Sequence, residues 1–150
     1  MVGTVCYIDL LGFSFLTANP DKNKYQKIIL RYIKGLHKYI SQAIEKTNIK
    51  YCILSDSVFL YAENDVDTLL YVLTRIFRNC ISMGVLLRAG LAYGEYSFIK
   101  TKMDSNTIFG AAVTKAVALE KKGKGCRIFI DVDLPAKSTL IKVSSNIFMP

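Results

Sequence analysis

Two aspartates sit where acids are costly unless they have work to do. Asp9 lies near the end of an otherwise apolar run, residues 2–10 (VGTVCYIDL), and Asp56 lies between two short β-rich runs, 49–54 (IKYCIL) and 57–62 (SVFLYA). If the first run pairs beside that hairpin, the two carboxylates converge. Neighbouring carboxylates repel unless a cation lies between them, and hard divalent ions such as Mg²⁺ take such oxygen ligands. Mg²⁺ needs only one or two protein carboxylates when substrate phosphates complete its shell. The segment Leu11-Gly12-Phe13-Ser14 leads from Asp9 into a helix whose first amides suit a polyphosphate. Spacing alone leaves a blander alternative open, with Asp9 as a helix cap and Asp56 as an exposed turn acid.

Other catalytic chemistries have little to draw on. His37 is the only histidine, so a histidine-dependent triad is disfavoured. Cys6, Cys52, Cys80 and Cys126 each sit in an apolar segment and form no CxxC pair, which argues for buried, reduced thiols rather than zinc ligands or disulfides.

The elements that must position the two acids follow from periodicity. A strand at 2–10 is followed by a loop containing Pro20. A helix follows, in which Tyr25, Ile28, Ile29, Tyr32, Ile33, Leu36, Tyr39, Ile40 and Ile44 recur at helical spacing, closed by Asn48. The strands 49–54 and 57–62 flank a tight Ser55-Asp56 turn. A second helix spans 65–83, with Asp65 as N-cap and Gly84 as stop. Strands at 86–94 and 96–101, a polar loop at 102–106, a small-residue helix at 111–121 and a strand at 127–131 complete the pattern; 132–150 is weakly patterned. This order predicts one α+β domain over 1–150. Its core is ferredoxin-like βαββαβ with additions, a mixed, mainly antiparallel sheet with helices on one face.

Composition sets outer limits. The 150 residues are 51% hydrophobic and 21% charged, which excludes disordered and collagen-like classes. No apolar stretch approaches a bilayer span and the N-terminus lacks signal-peptide features, so a cytoplasmic protein without a membrane partner is expected. The formal charge is +8, of which +6 falls in residues 21–50, with a second basic knot at Lys121, Lys122, Lys124 and Arg127. Such patches attract polyanions, or are simply solvated helix faces.

Four segments carry a family resemblance. YIDLLGFS at 7–14 resembles the (F/Y)xDxxGF(S/T) segment of class III nucleotidyl cyclase catalytic domains, and LSDSVFLYA at 54–62 is similar to that family's acidic hairpin. LRAGLAYGE at 87–95 resembles its RxGxxxG strand, and FGAAVTKAVALE at 109–120 its GxxVNxAxxLE helix. They occur in the family's order, and the YIDLLGFS and SDS wording is most similar to the bacterial Pycsar pyrimidine cyclases of anti-phage defence. The resemblance implies that Asp9 and Asp56, with the backbone carbonyl of Leu10, bind two Mg²⁺ or Mn²⁺ ions, and that Leu11, Gly12, Phe13 and Ser14 hold the triphosphate. It implies conversion of a nucleoside triphosphate, UTP or CTP, into a 3′,5′-cyclic nucleotide and pyrophosphate. It also implies a homodimer with the helix at 110–121 facing the partner's metal site.

The departures are as informative. The family's base-reading Lys falls on Cys52, and its transition-state Asn and Arg fall on Thr114 and Ala118. Thr114 keeps a hydroxyl; Ala118 offers nothing. Cys52, or Tyr51 beside it on the opposite strand face, would border the base and disfavour a two-ring purine. Two rivals remain: a degenerate cyclase-like domain that binds a nucleotide or a partner protein, and a basic nucleic-acid-binding module stacking bases on Phe59, Tyr61 and Tyr93. The second lacks an RNP motif, so nucleic acid is not the expected partner.

Overall fold

The computed structural model describes residues 1–18, 22–100 and 106–135. In chain order the elements are β1 (Val2–Leu10), α1 (Phe13–Ala18), α2 (Lys22–Ile44), β2 (Lys50–Leu54), β3 (Ser57–Ala62) and α3 (Val66–Ser82). They continue with β4 (Leu87–Glu95), β5 (Ser97–Lys100), β6 (Asn106–Phe109), α4 (Ala111–Lys121) and β7 (Ile128–Ile130). The main sheet has the order β2-β3-β1-β4-β7, with β5 and β6 forming a separate pair. All main-sheet neighbours are antiparallel except β4 and β7. This is the expected βαββαβ core, with β1 held between β3 and β4.

Alternation along β1 assigns its side chains to two faces. Cys6, Ile8 and Leu10 join Val58, Leu60, Leu87, Ala89 and Leu91 beneath α2 and α3, which contribute Leu36, Ile40, Leu69, Leu73 and Ile76. Each fully buried side chain of this kind stabilises the fold by about 1.5–3 kcal/mol. Val5, Tyr7 and Asp9 point the other way. There Val5, Phe59, Tyr61 and Ala92 pack with Ala112 and Ala116 of α4. The expectation that all helices share one face is therefore corrected: α4 lies on the opposite face from α2 and α3. Gly90 is the local reason, because a Cβ there would run into the Ala116 carbonyl oxygen.

Local signals account for most boundaries. The Asp65 side chain accepts from the Thr68 amide at 3.1 Å, capping α3, and Gly84 follows its end at φ +74°. The first long helix ends at Ile44, before Asn48, where Lys46 turns left-handed and the Thr47 hydroxyl donates to the Ile44 carbonyl at 2.7 Å. Two elements depart from the expected pattern. Phe13–Ala18 is helical rather than loop, and Asn106–Phe109 is a strand paired to Ser97–Lys100. Most of the expected 102–106 loop and of the 132–150 tail lies outside the described residues.

Phe59 and Tyr61 share the Asp9 face, whereas Tyr93 opposes Thr4 on the other face. Phe59 is 6% and Tyr61 1% exposed. The three aromatics form no stacking platform, which removes the support for a sheet that binds bases.

Candidate active site

The strand pairing that places Asp9 also chooses its neighbours. Asp9 lies directly across from Ser57 of β3 and from Arg88 of β4, so all three side chains leave the same face of the sheet. Ser57 Oγ donates to Asp9 Oδ1 at 3.1 Å, and the Tyr7 hydroxyl lies 2.9 Å from the same Oγ. Asp56, in the turn that joins β2 to β3, is the residue before Ser57 and is only partly exposed. Ser55 supplies the turn's positive φ, +58°, and so sets Asp56 at the sheet edge where β1 ends.

Burial is the largest influence on the Asp9 carboxyl and pushes its pKa up. The Ser57 hydrogen bond opposes this, the charges of Glu120 and Asp56 add to it, and Arg88 opposes it. Arg88 makes its own contacts with α4 and the segment after it. Its Nε pairs with Glu120 Oε1, and its Nη1 donates to the Gly123 carbonyl at 2.9 Å. Glu120 is 2% exposed and comes from the last turn of α4, so the helix that Gly90 admits brings a third carboxylate toward Asp9.

Asp9 lies across from Ser57 and Asp56 is the residue before it, so two carboxylates stand at adjoining positions of the β1–β3 pair, and a cation would relieve their mutual repulsion. That fits a hard divalent ion completed by substrate phosphates. Among the described residues no group of three or more His, Cys, Asp or Glu side chains could hold a metal. Thiol chemistry finds no support, since burial pushes the Cys6 thiol far up and the Cys80 thiol to about 12.

The remaining sequence-derived candidates separate into those near Asp9 and those away from it. Leu10 buries its side chain in the core. The chain then turns through Leu11, whose amide donates to the Leu86 carbonyl at 3.0 Å, and through exposed Gly12 at φ +82°. Phe13 packs against the core and Ser14 is exposed at the start of α1. Cys52 opposes Phe59 on the Asp9 face, whereas Tyr51 opposes Leu60 on the other face and is 40% exposed. Thr114 and Ala118 are exposed on α4. Thr114 lies six residues before Glu120, roughly 9 Å along the helix, and its hydroxyl donates to the Gly110 carbonyl at 3.3 Å. The chain does not bring Thr114 to Asp9.

Sequence reasoning missed Tyr7, Ser57 and Glu120 as site residues. Ser57 and Tyr7 were legible in principle, because in a β1–β3 pair they share a face with Asp9. Glu120 was not, since its approach depends on which face α4 covers. Clefts of about 440 and 740 Å³ open at the far end of the sheet, around Glu95 and Gly110 and around Lys50 and Glu63. Neither includes Asp9.

No protein-family model matches the sequence, and no curated protein does. Solved structures match the fold. The guanylyl cyclase domain of the RhoGC fusion protein from the aquatic fungus Blastocladiella emersonii is similar at a TM-score of 0.67 and 14% identity, over 87% of this chain and 80% of that one. The guanylate cyclase domain of RhGC from Catenaria anguillulae, solved in complex with GTP, gives 0.65 and 14% over 86% and 77%. The adenylyl cyclase CyaB from P. aeruginosa gives 0.59 and 16% over 87% and 76%. The α+β fold with its mostly antiparallel sheet is thus the fold of guanylyl and adenylyl cyclase catalytic domains.

Proposed function

We propose that this protein is a metal-dependent nucleotidyl cyclase that forms a 3′,5′-cyclic nucleotide and pyrophosphate from a nucleoside triphosphate. The observation that supports this reading is the register of β1 against β3, which sets Asp9 across from Ser57 and so next to the turn that carries Asp56. In the reaction the ribose 3′-oxygen bonds to the α-phosphorus, its proton leaves, and the bond to the β-phosphate breaks. Asp9, Asp56 and the Leu10 carbonyl would hold two Mg²⁺ or Mn²⁺ ions. Bound there, such ions acidify the attacking hydroxyl and offset charge on the phosphates. Ser57 keeps the Asp9 carboxylate in one orientation, and the turn at Leu11, Gly12, Phe13 and Ser14 receives the triphosphate.

The proposed substrate is a pyrimidine nucleotide, UTP or CTP, with the cyclic product serving as an anti-phage signal, as the resemblance to pyrimidine cyclases implies. Cys52, on the Asp9 face, gives the base a small and weakly polar wall in place of a charged donor; a missing hydrogen-bond partner in such a site costs about 1–3 kcal/mol. The working unit is proposed to be a homodimer, in which α4 of one copy offers Thr114 to the Asp9 edge of the other. Exposure of Thr114 and its separation from Asp9 within one chain support this.

Ala118, exposed and without a functional group, favours a second reading, nucleotide binding without turnover. Equimolar ATP, GTP, CTP and UTP with Mn²⁺, followed by product mass, tests both. Cyclic UMP or cyclic CMP is expected. Predominant cyclic AMP or cyclic GMP removes the pyrimidine assignment, and binding without any cyclic product supports the second reading.

A further inference from the structure

We propose that the outward face of α2 and α3 docks on an anionic phospholipid bilayer. On α2, Lys27, Arg31, Lys34 and Lys38 are exposed and follow one another by four, three and four residues, which puts them on one side of the helix. The stripe runs about 16 Å and lies opposite Leu36, Ile40 and Ala43, which face the sheet. Arg75 and Arg78 extend it onto α3, which packs beside α2 on the same face of the sheet; the Arg75 guanidinium lies 5.7 Å from the Tyr71 ring centroid.

Among the described residues these cations form no ion pair. The ion pairs among the described residues lie elsewhere, Arg88 with Glu120 and Lys115 with Asp131 and Asp133. Like charges at this spacing destabilise a helix, so α2 carries a repulsion that an external polyanion would relieve. The apolar residues in the same layer decide which polyanion. Leu30 is 47%, Tyr71 58% and Ile81 50% exposed. A nucleic-acid backbone would satisfy the cations and offer nothing to Leu30 or Ile81. A bilayer surface accepts both, with basic groups among the headgroup phosphates and apolar side chains at the acyl boundary. No helix among the described residues is long and apolar enough to cross a membrane, and peripheral docking needs none. Asp9 lies on the opposite face of the sheet, so docking leaves its edge turned away from the lipid.

Co-sedimentation of the full chain with phosphatidylglycerol–phosphatidylcholine vesicles tests this. Binding is expected to the mixed vesicles, to weaken with added salt, and to be absent for pure phosphatidylcholine. Each basic residue contributes about fivefold, so an Arg31→Glu/Lys34→Glu variant should bind at least about 25-fold more weakly while melting no lower than the parent, because opposite charges then face each other at i, i+4. Leu30→Ser should weaken vesicle binding several-fold and leave any binding to a 20-base-pair duplex unchanged. Equal binding to neutral vesicles, or undiminished binding by the charge-reversed variant, overturns the proposal. Should that variant fold poorly, Lys27→Gln/Lys38→Gln carries the same test. Duplex DNA that binds more tightly than the vesicles at equal phosphate concentration would assign the face to nucleic acid instead. None of these outcomes depends on nucleotide turnover.

Discussion

Ser57 Oγ donates to Asp9 Oδ1 at 3.1 Å across the β1–β3 pair, and its single proton is then committed. The Tyr7 hydroxyl, 2.9 Å away, must therefore donate to Ser57. The result is a short relay that ends on the carboxylate. Hydrogen bonds to charged groups are worth about 1.5–3 kcal/mol. Ser57→Ala should thus raise the Asp9 pKa further and loosen the carboxylate, whereas Tyr7→Phe should act more weakly. NMR titration of the Asp9 carboxyl in the two metal-free variants measures the difference. An unchanged Asp9 titration in Ser57→Ala would show that the relay has no effect on it.

Asp9 also fixes the sign of a pH dependence. Its pKa is raised in the folded protein, first by burial. Folding stability linked to the group is therefore complete below the usual carboxylate range and is lost as pH rises through the folded value. Metal-free Asp9→Asn should melt higher than the parent at pH 7, with the gap closing near pH 3. Mn²⁺ should raise the Tm of the parent and leave that of Asp9→Asn unchanged. Asp56→Asn should likewise melt no lower than the parent without metal, because a like-charge repulsion is relieved, and should abolish Mn²⁺-dependent turnover.

The Arg88–Glu120 pair should be costly to break from one side. Glu120 is 2% exposed, so Arg88→Met leaves its carboxylate buried without a partner and should destabilise the fold by about 3 kcal/mol in urea unfolding. Glu120→Gln should cost clearly less, because the guanidinium keeps the Gly123 carbonyl and can donate to the amide oxygen. Equal losses for the two variants would contradict this account.

Gly90 controls how closely α4 approaches. A Cβ there meets the Ala116 carbonyl and the Glu120 amide, both backbone atoms that can yield only if the helix moves. Gly90→Ala should destabilise by about 1–3 kcal/mol and shift α4. Gly12→Ala meets nothing within 4 Å but stands at φ +82°, so its cost should be only about 1–2 kcal/mol of backbone strain. Hydrogen exchange of the α4 amides separates them, with faster exchange expected for Gly90→Ala alone.

Periodicity and local chemistry in the chain were enough to specify the central strand, the Ser55-Asp56 hairpin, the Asp65 cap and the antiparallel core. The strand, the turn and the cap depend on residues close in sequence, and a period of two or of 3.6 residues survives without tertiary information; the antiparallel core followed from the order of elements. The placement of β1 beside the hairpin was legible from element order, since a βαββ sequence of elements puts β1 next to β3. The short strand Asn106–Phe109 was hidden because it pairs only with β5 and has too few residues to show alternation. The face chosen by α4 was hidden too. That helix has small residues on several sides, so its own pattern names no buried stripe; the bare backbone at Gly90, twenty-one or more residues away in the chain, makes the choice. With α4 come Glu120, its pairing to Arg88 and the extra negative charge beside Asp9. The sequence alone determined the strand order that sets Asp9 beside the hairpin carrying Asp56. Only tertiary packing decided their electrostatic surroundings, because charge interactions depend on distances through space that no local spacing encodes.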